Sequence, residues 1–166
     1  MKFVIISHVN HLVQNNQIFG YGPYIREMNI WLKHVEKVEV VANISNREIS
    51  KIDLAYQHDS LKFTELKSFN LTTVKEIAKT VTIIPSLLIT IYKAMKRADH
   101  IHLRCPGNVG LLGCLVQILF PNTTKTAKYA GNWDPKAKQP WSYRLQKWIL
   151  NNTFLTLLYD VSIKLN

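Results

Sequence analysis

The spacing of hydrophobic and polar positions changes repeatedly along this chain, between the runs and alternations typical of strands and the three-to-four-residue spacing typical of helices. Lys2–Ser7 is a continuous apolar, β-branched run, which favours a strand buried on both faces of a parallel sheet. Related patterns predict further strands at Lys37–Ala42, Leu61–Leu66, Asp99–Arg104 and Lys125–Ala130. Helical spacing predicts helices at Tyr24–His34, Thr72–Ala98, Val109–Phe120 and Trp141–Leu150.

The longest helical pattern, Thr72–Ala98, contains Pro85, which predicts either a kink or two separate helices. Its most apolar part, Val81–Met95, and the apolar run Val109–Phe120 are both shorter than the ~20 residues that span a bilayer. Both segments therefore favour core helices over membrane spans. Attachment of the first segment to one face of a membrane stays open as an alternative, because Lys93, Lys96 and Arg97 flank it.

The regular alternation of strands and helices predicts the fold class. It indicates an α/β domain with a mainly parallel sheet and a Rossmann-like, three-layer α/β/α arrangement. A chain of 166 residues corresponds to about one domain, which we expect over residues 1–154. We expect residues 155–166 to form a C-terminal tail outside this domain.

Candidate ligand-binding residues lie where the strand Asp99–Arg104 gives way to the following helix. Cys105-Pro-Gly-Asn108 stops the strand, and His102 and Arg104 occupy alternate positions that point to one face. Open α/β sheets bind ligands at the carboxyl ends of their strands, and the N–H groups of a helix start attract anions. A packed histidine and a solvated arginine are the alternative, but the turn chemistry favours a site.

A second loop carries Gly20, Tyr21 and Gly22 before a proline that suits the first turn of a helix. Glycine lets the backbone approach a ligand closely, so this loop predicts a phosphate or sugar cradle. The Gly-x-Gly-x-x-Gly spacing of dinucleotide sites is absent. His8 and His11 precede this loop without a nearby carboxylate or cysteine, so we expect them to be solvated and not to bind a metal.

The net charge of +10 and the isoelectric point near 9.7 change the picture of possible partners. They favour a nucleic acid, an anionic membrane surface or a phosphorylated ligand. The only cysteines, Cys105 and Cys114, are too far apart for a Cys-x-x-Cys pair. Two buried thiols indicate a reducing, cytoplasmic compartment.

Basic and aromatic residues are interleaved from Lys125 to Lys147, where Asp134 is the only acidic residue. A solvated surface is one interpretation, and a surface facing anionic lipid on the inner face of the cell membrane is the one we favour. The predicted membrane-facing residues are Lys136, Lys138, Trp141, Arg144, Lys147 and Trp148.

Four segments together resemble the N-terminal, acceptor-side domain of bacterial GT-B glycosyltransferases of the family-4 kind. They are Lys2–Ser7 followed by Gly20-Tyr-Gly-Pro-Tyr24, then Asp99–Gly107, then Lys128-Tyr-Ala-Gly-Asn-Trp-Asp-Pro135. The order and spacing of these segments carry the resemblance, which covers residues 1–154. Where family members often have a histidine after the last strand, this chain has Asn132-Trp133-Asp134.

The resemblance implies transfer of a sugar from a nucleotide-sugar to a lipid-linked or polysaccharide acceptor, with retention of configuration. It implies no metal and no cofactor other than the nucleotide-sugar co-substrate. The donor-binding C-terminal domain of the family has no counterpart in these 166 residues. The resemblance therefore implies a truncated gene product, a fragment of a longer enzyme or one half of a two-chain enzyme, and in the last case a separate donor-binding chain is the expected partner. The resemblance assigns substrate binding to Gly20, Tyr21, Gly22, His102, Arg104, Asn132, Trp133 and Asp134, and it identifies no catalytic nucleophile.

Two other function classes remain open. The charge favours a basic nucleic-acid-binding domain, although the sequence contains no recognised motif or stacking platform for it. The interleaved basic and aromatic residues also fit a non-catalytic subunit that docks on a membrane and recruits a donor-binding chain.

Overall fold

The computed structural model describes residues 1–67, 74–134, 137–153 and 156–159. Six parallel strands form the central sheet, in the order β6-β4-β1-β7-β8-β9. These strands are β1 (Lys2–Ile6), β4 (Lys37–Ala42), β6 (Leu61–Glu65), β7 (His100–Cys105), β8 (Thr124–Tyr129) and β9 (Thr156–Tyr159). The helices are α1 (Gly22–Leu32), α2 (Val74–Met95), α3 (Asn108–Val116) and α4 (Trp141–Thr153).

The strand order places a topological switch point between β1 and β7. From β1 the chain adds β4 and β6 on one side, and then crosses over to add β7, β8 and β9 on the other. This order is compatible with a Rossmann-like fold, in which ligands bind outside the carboxyl ends of the strands at the switch point. The predicted α/β class and mainly parallel sheet are confirmed.

Two apolar clusters hold helices on opposite faces of the sheet. Alternate residues of β1 separate them, because Phe3 and Ile5 face α1 whereas Val4 and Ile6 face the other helices. Helix α1 buries Tyr24, Ile25, Met28 and Leu32 on its face. Helices α2, α3 and α4 cover the opposite face, so the three-layer arrangement is confirmed.

A small antiparallel sheet, which the sequence analysis missed, lies between β1 and β6 along the chain. It consists of β2 (Leu12–Gln14), β3 (Gln17–Tyr21) and β5 (Asp53–Ala55), in that order. Asn15 and Asn16 form the hairpin turn with positive φ angles of 49° and 60°, which asparagine tolerates. The pattern of residues 8–19 looked like a polar loop because these strands are only three and five residues long.

Two other boundaries differ from the prediction. Strand β9 extends the main sheet to Tyr159, beyond the expected domain limit at residue 154. Helix α2 continues through Pro85 as one helix, so of the two predicted alternatives, a kink or two separate helices, the second is wrong. The predicted start of this helix at Thr72 lies outside the described residues.

Candidate ligand site at the carboxyl edge of the sheet

The loops after β1, β7 and β8 pack against one another at the switch point. The His8 Nδ1 atom lies 3.1 Å from the Arg104 carbonyl oxygen, and a Cβ atom at Gly107 would lie 2.8 Å from the His8 side chain. On the other side of β7, the Ala130 N–H donates to the Cys105 carbonyl over 2.7 Å. These contacts fix the edge of the sheet where Arg104 emerges.

A cluster of three charged side chains lies at this edge, between the sheet and α1. Arg104 Nη1 is 3.5 Å from Glu27 Oε2, and Lys128 Nζ is 3.6 Å from Glu27 Oε1. The Arg104 guanidinium also lies over the Tyr24 ring, 5.3 Å from its centroid. Two cations therefore share one carboxylate, which leaves a local excess of positive charge suited to a phosphate or another anion.

All three charged side chains of this edge cluster keep limited access to solvent, with exposed fractions of 14% for Arg104, 20% for Lys128 and 28% for Glu27. Charges in such partly desolvated positions act on a ligand more strongly than freely solvated ones, because water screens them less. The edge cluster is therefore the best candidate for a ligand site in the described part of the chain.

His102 points to the same face of the sheet as Arg104, as predicted, but it does not reach the edge. Its side chain is fully buried beneath α1, 5.2 Å from the Trp31 ring and 5.9 Å from the Phe3 ring between centroids. Its Nδ1 atom lies 2.9 Å from Thr126 Oγ1. Burial, with lesser contributions from nearby positive groups, lowers the pKa of His102 to about 3, so the ring is neutral. The predicted contact with substrate is thus corrected to a packing role.

Gly20 and Gly22 pack against other segments of the protein instead of lining an open cradle for a ligand. A Cβ atom at Gly22 would lie 2.4 Å from the Ile52 carbonyl oxygen, which already accepts the Gly22 N–H over 2.8 Å. A Cβ atom at Gly20 would meet the Ile25 side chain at 3.0 Å. The prediction of a ligand cradle is therefore wrong for these two positions, whereas Tyr21 is half exposed just before α1.

The expectation that His8 and His11 are solvated is wrong for His11, and His8 is half-buried. His11 is fully buried, and its Nε2 atom lies 3.0 Å from the Tyr56 hydroxyl, which donates to the Tyr24 hydroxyl over 3.1 Å. Burial lowers the pKa of His11 to about 4 and also lowers that of His8. This burial was not predicted because His11 packs against Tyr56 and Phe63, which lie far from it in the sequence.

The segment Asn132–Asp134 forms a turn after β8. The Asn132 side chain accepts the Asp134 N–H over 2.8 Å, and Trp133 packs edge-on against Tyr129, with 5.0 Å between centroids. Trp133 is therefore partly buried on the α4 side of the sheet, whereas Arg104 lies on the opposite face.

The predicted membrane-facing residues fall into different environments. Trp141, Arg144 and Trp148 form the exposed stripe of α4, and Lys138 is also exposed. Lys147 is buried, because its Nζ atom donates to the Asp134 carbonyl over 3.2 Å and lies over the Tyr129 and Trp133 rings. Lys147 is thus wrongly predicted to face a membrane, and Lys136 lies outside the described residues.

The two cysteines are free and buried, and their Sγ atoms are 3.8 Å apart where α3 packs on β7. Within the described ranges, no group of three or more His, Cys, Asp or Glu side chains is arranged to hold a metal ion. No helix in those ranges combines the length and the apolar character needed to cross a bilayer.

Glu27 and Lys128 are the site residues that sequence reasoning missed. Lys128 was visible in principle, because strands β7 and β8 pair in parallel with Arg104 beside Lys128. The alternation of β8 then places Lys128 on the face that Arg104 occupies. Glu27 required knowing which side of α1 lies over the edge of the sheet.

Comparison of this chain with protein-family models, with curated proteins and with solved structures finds no match in any of the three.

Proposed function

We propose that this chain is the acceptor-side domain of a glycosyltransferase that moves a sugar from a nucleotide-sugar to a lipid-linked or polysaccharide acceptor. The observation that carries the proposal is the edge cluster of Arg104, Lys128 and Glu27 beside the switch point of a Rossmann-like sheet. The resemblance of the chain to the N-terminal half of GT-B enzymes supports the same reaction class.

In this proposal the edge cluster neutralises negative charge that the transferred group or its acceptor brings to the sheet. Sugar transfer from a nucleotide-sugar releases a nucleoside diphosphate, so positive groups near the reacting bond favour the transition state. Arg104 suits this role because its planar guanidinium binds phosphate oxygens in pairs. Glu27 holds both cations in place while the site is empty and competes with an incoming anion.

The donor is bound by a second, nucleotide-sugar-binding unit, either a further domain or a separate chain. We therefore expect the 166 residues alone to transfer no sugar and to bind nucleotide-sugars weakly. A sugar-transfer assay on the purified chain, with a panel of nucleotide-sugars and a polyprenyl phosphate acceptor, checks this expectation. Robust turnover by the isolated chain would contradict the proposed division of the site.

Saturation-transfer NMR tests the acceptor side directly. Oligosaccharides and sugar phosphates should receive magnetisation from the protein, and the signal should weaken in Arg104→Ala but not in Lys33→Ala, which removes an exposed lysine beyond α1. A protein that instead binds RNA or DNA near physiological salt, with affinity falling steeply as salt rises, would favour the nucleic-acid alternative.

A further inference from the structure

The outer surface of the helical layer formed by α2, α3 and α4 carries several exposed large apolar side chains. Where α2 meets α3 and the short 3-10 turn Gln117–Leu119 that continues α3, these include Ile89, Leu115, Ile118 and Leu119, at 52%, 42%, 45% and 65% exposed. Val81, nearer the start of α2, is 60% exposed. Soluble proteins seldom keep neighbouring apolar side chains in water unless another surface covers them.

These side chains border a shallow groove between the two helices. Leu88, Ile89 and Tyr92 of α2 line one wall, and Leu115, Val116 and Leu119 line the other. The groove has a volume of about 350 Å³. We call this groove, together with Ile118, the α2–α3 apolar surface.

Charge distinguishes the helices that carry this surface from the rest of the molecule. The segments 81–98, 108–119 and 141–153 contain five Lys or Arg residues and no Asp or Glu. Glu76, the one acidic residue of α2, lies in the first turns of that helix. Lys93, Lys96 and Arg144 are exposed, whereas Lys147 is buried and Arg97 is bound to Glu39 over 2.8 Å.

Helix α4 packs beside α3 in the same layer and presents Trp141 and Trp148 to solvent, at 66% and 64% exposed. Tryptophan prefers the boundary between water and hydrocarbon because its ring is apolar and its N–H is polar. The layer therefore combines exposed aliphatic, aromatic and basic side chains, which is the composition of surfaces that lie in a membrane interface.

We propose that the α2–α3 apolar surface docks on an anionic lipid bilayer, with Ile89, Leu115, Ile118 and Leu119 entering the interface and Lys93 and Lys96 contacting lipid headgroups. Charge complementarity selects this occupant, because every charged residue of these helices except Glu76 is basic and the chain has a net charge of +10. The surface lies on the opposite face of the sheet from α1 and the edge cluster, so this proposal does not depend on the proposed sugar-transfer function.

Vesicle flotation with the full 166-residue chain tests the proposal. Binding to vesicles with 30% phosphatidylserine should exceed binding to pure phosphatidylcholine, because each basic residue near an anionic surface strengthens binding roughly fivefold. Ile89→Glu with Leu119→Glu should abolish flotation. Ile30→Glu with Ile52→Glu is the matched control, since these equally exposed side chains lie away from the helical layer. It should float like the wild type.

Lys93→Glu with Lys96→Glu separates the electrostatic from the apolar contribution. This variant should float on anionic vesicles at least about tenfold more weakly than the wild type, and circular dichroism should show an unchanged fold because both lysines are exposed. Equal flotation of the wild type on neutral and anionic vesicles, or flotation that survives Ile89→Glu with Leu119→Glu, would overturn the proposal. A concentration-dependent dimer that the same apolar variant dissolves, with no flotation of the wild type, would assign the surface to a second copy instead.

Discussion

His102 and Arg104 lie on one strand and one face of the sheet, only two residues apart, yet their surroundings differ completely. His102 is sealed beneath α1 with Trp31 and Phe3, whereas Arg104 emerges at the edge beside Glu27 and retains some exposure. Two residues along a strand span about 7 Å, which is enough to place Arg104 beyond the helix that covers His102. Position along the strand, and not residue type, separates packing from a candidate binding role.

Among the single substitutions, the comparison predicts the largest loss of stability for His102→Ala. Truncating a fully buried ring leaves a cavity beneath Trp31, which costs roughly 3 kcal/mol of the free energy of unfolding. For a chain of this size that loss lowers the melting temperature by roughly 6–12 °C. Differential scanning calorimetry measures the shift. A melting temperature within 2 °C of the wild type, roughly the shift that less than 1 kcal/mol produces, would show that the ring does not support the fold.

Gly22→Ala should destabilise the protein by about 2 kcal/mol, because the added Cβ meets the backbone carbonyl of Ile52. Gly20→Ala should cost less, since its Cβ meets the end of the flexible Ile25 side chain. Urea unfolding of the two variants checks the order. The reverse order would mean that the contact between α1 and the Ile52 segment does not constrain the loop.

Acid should destabilise the folded protein because its two fully buried histidines resist protonation. We expect no such effect from the edge cluster. The pKa of His102 is about 3 in the folded protein and that of His11 about 4, against 6.5 ordinarily, so the unfolded chain binds more protons between these values. Stability is complete above about pH 6.5 and falls as the pH drops, by roughly 1.4 kcal/mol per pH unit for each histidine. Urea unfolding between pH 7 and pH 4.5 measures the slope.

His102→Phe isolates the contribution of one ring to that slope. The variant should lose roughly 1.4 kcal/mol per pH unit of the acid dependence, while Thr126 Oγ1 keeps its contact with His100 Nε2 at 2.9 Å. An unchanged slope would mean that His102 takes up a proton as readily in the folded protein as in the unfolded one.

Glu27→Gln should have the smallest effect on stability, and its effect on anion binding tests the role of the edge cluster. The carboxylate that Arg104 and Lys128 share is removed, so anion binding at the edge should tighten several-fold while stability changes by about 1 kcal/mol or less. Titration with inorganic phosphate, followed by calorimetry, checks the direction. Weaker phosphate binding in Glu27→Gln would mean that the carboxylate organises the cations more than it competes with a ligand.

The sequence predicted five of the six strands of the main sheet, because their apolar residues either form a run or alternate with polar residues, and it did not predict β9. Lys37–Ala42 was predicted to the residue, and the faces of His102 and Arg104 follow from alternation alone. What the sequence could not reveal depends on contacts between distant segments. His11 is buried against Tyr56 and Phe63, and His102 is buried beneath α1 against Trp31.

The same limit applies to the glycines and lysines. A glycine needed against the Ile52 carbonyl and a glycine needed against a ligand are identical in a single sequence. Lys147 was assigned to a basic surface because its neighbours in sequence are basic. In the structure it is buried, because its Nζ atom donates to the Asp134 carbonyl and lies over the Tyr129 ring. Local composition therefore predicted the charge of this region without predicting which charges reach solvent.

The central claim is that the edge cluster binds the anionic part of a ligand, and pyrophosphate binding at Arg104 tests it most directly. Isothermal titration should show that Arg104→Ala weakens pyrophosphate binding about tenfold or more, as expected for the loss of a charge-assisted hydrogen bond. Lys33→Ala, which removes an exposed lysine of equal charge, should bind pyrophosphate like the wild type. Equal losses in both variants would show that only the net charge of the protein attracts the anion, and would contradict a site at the edge of the sheet.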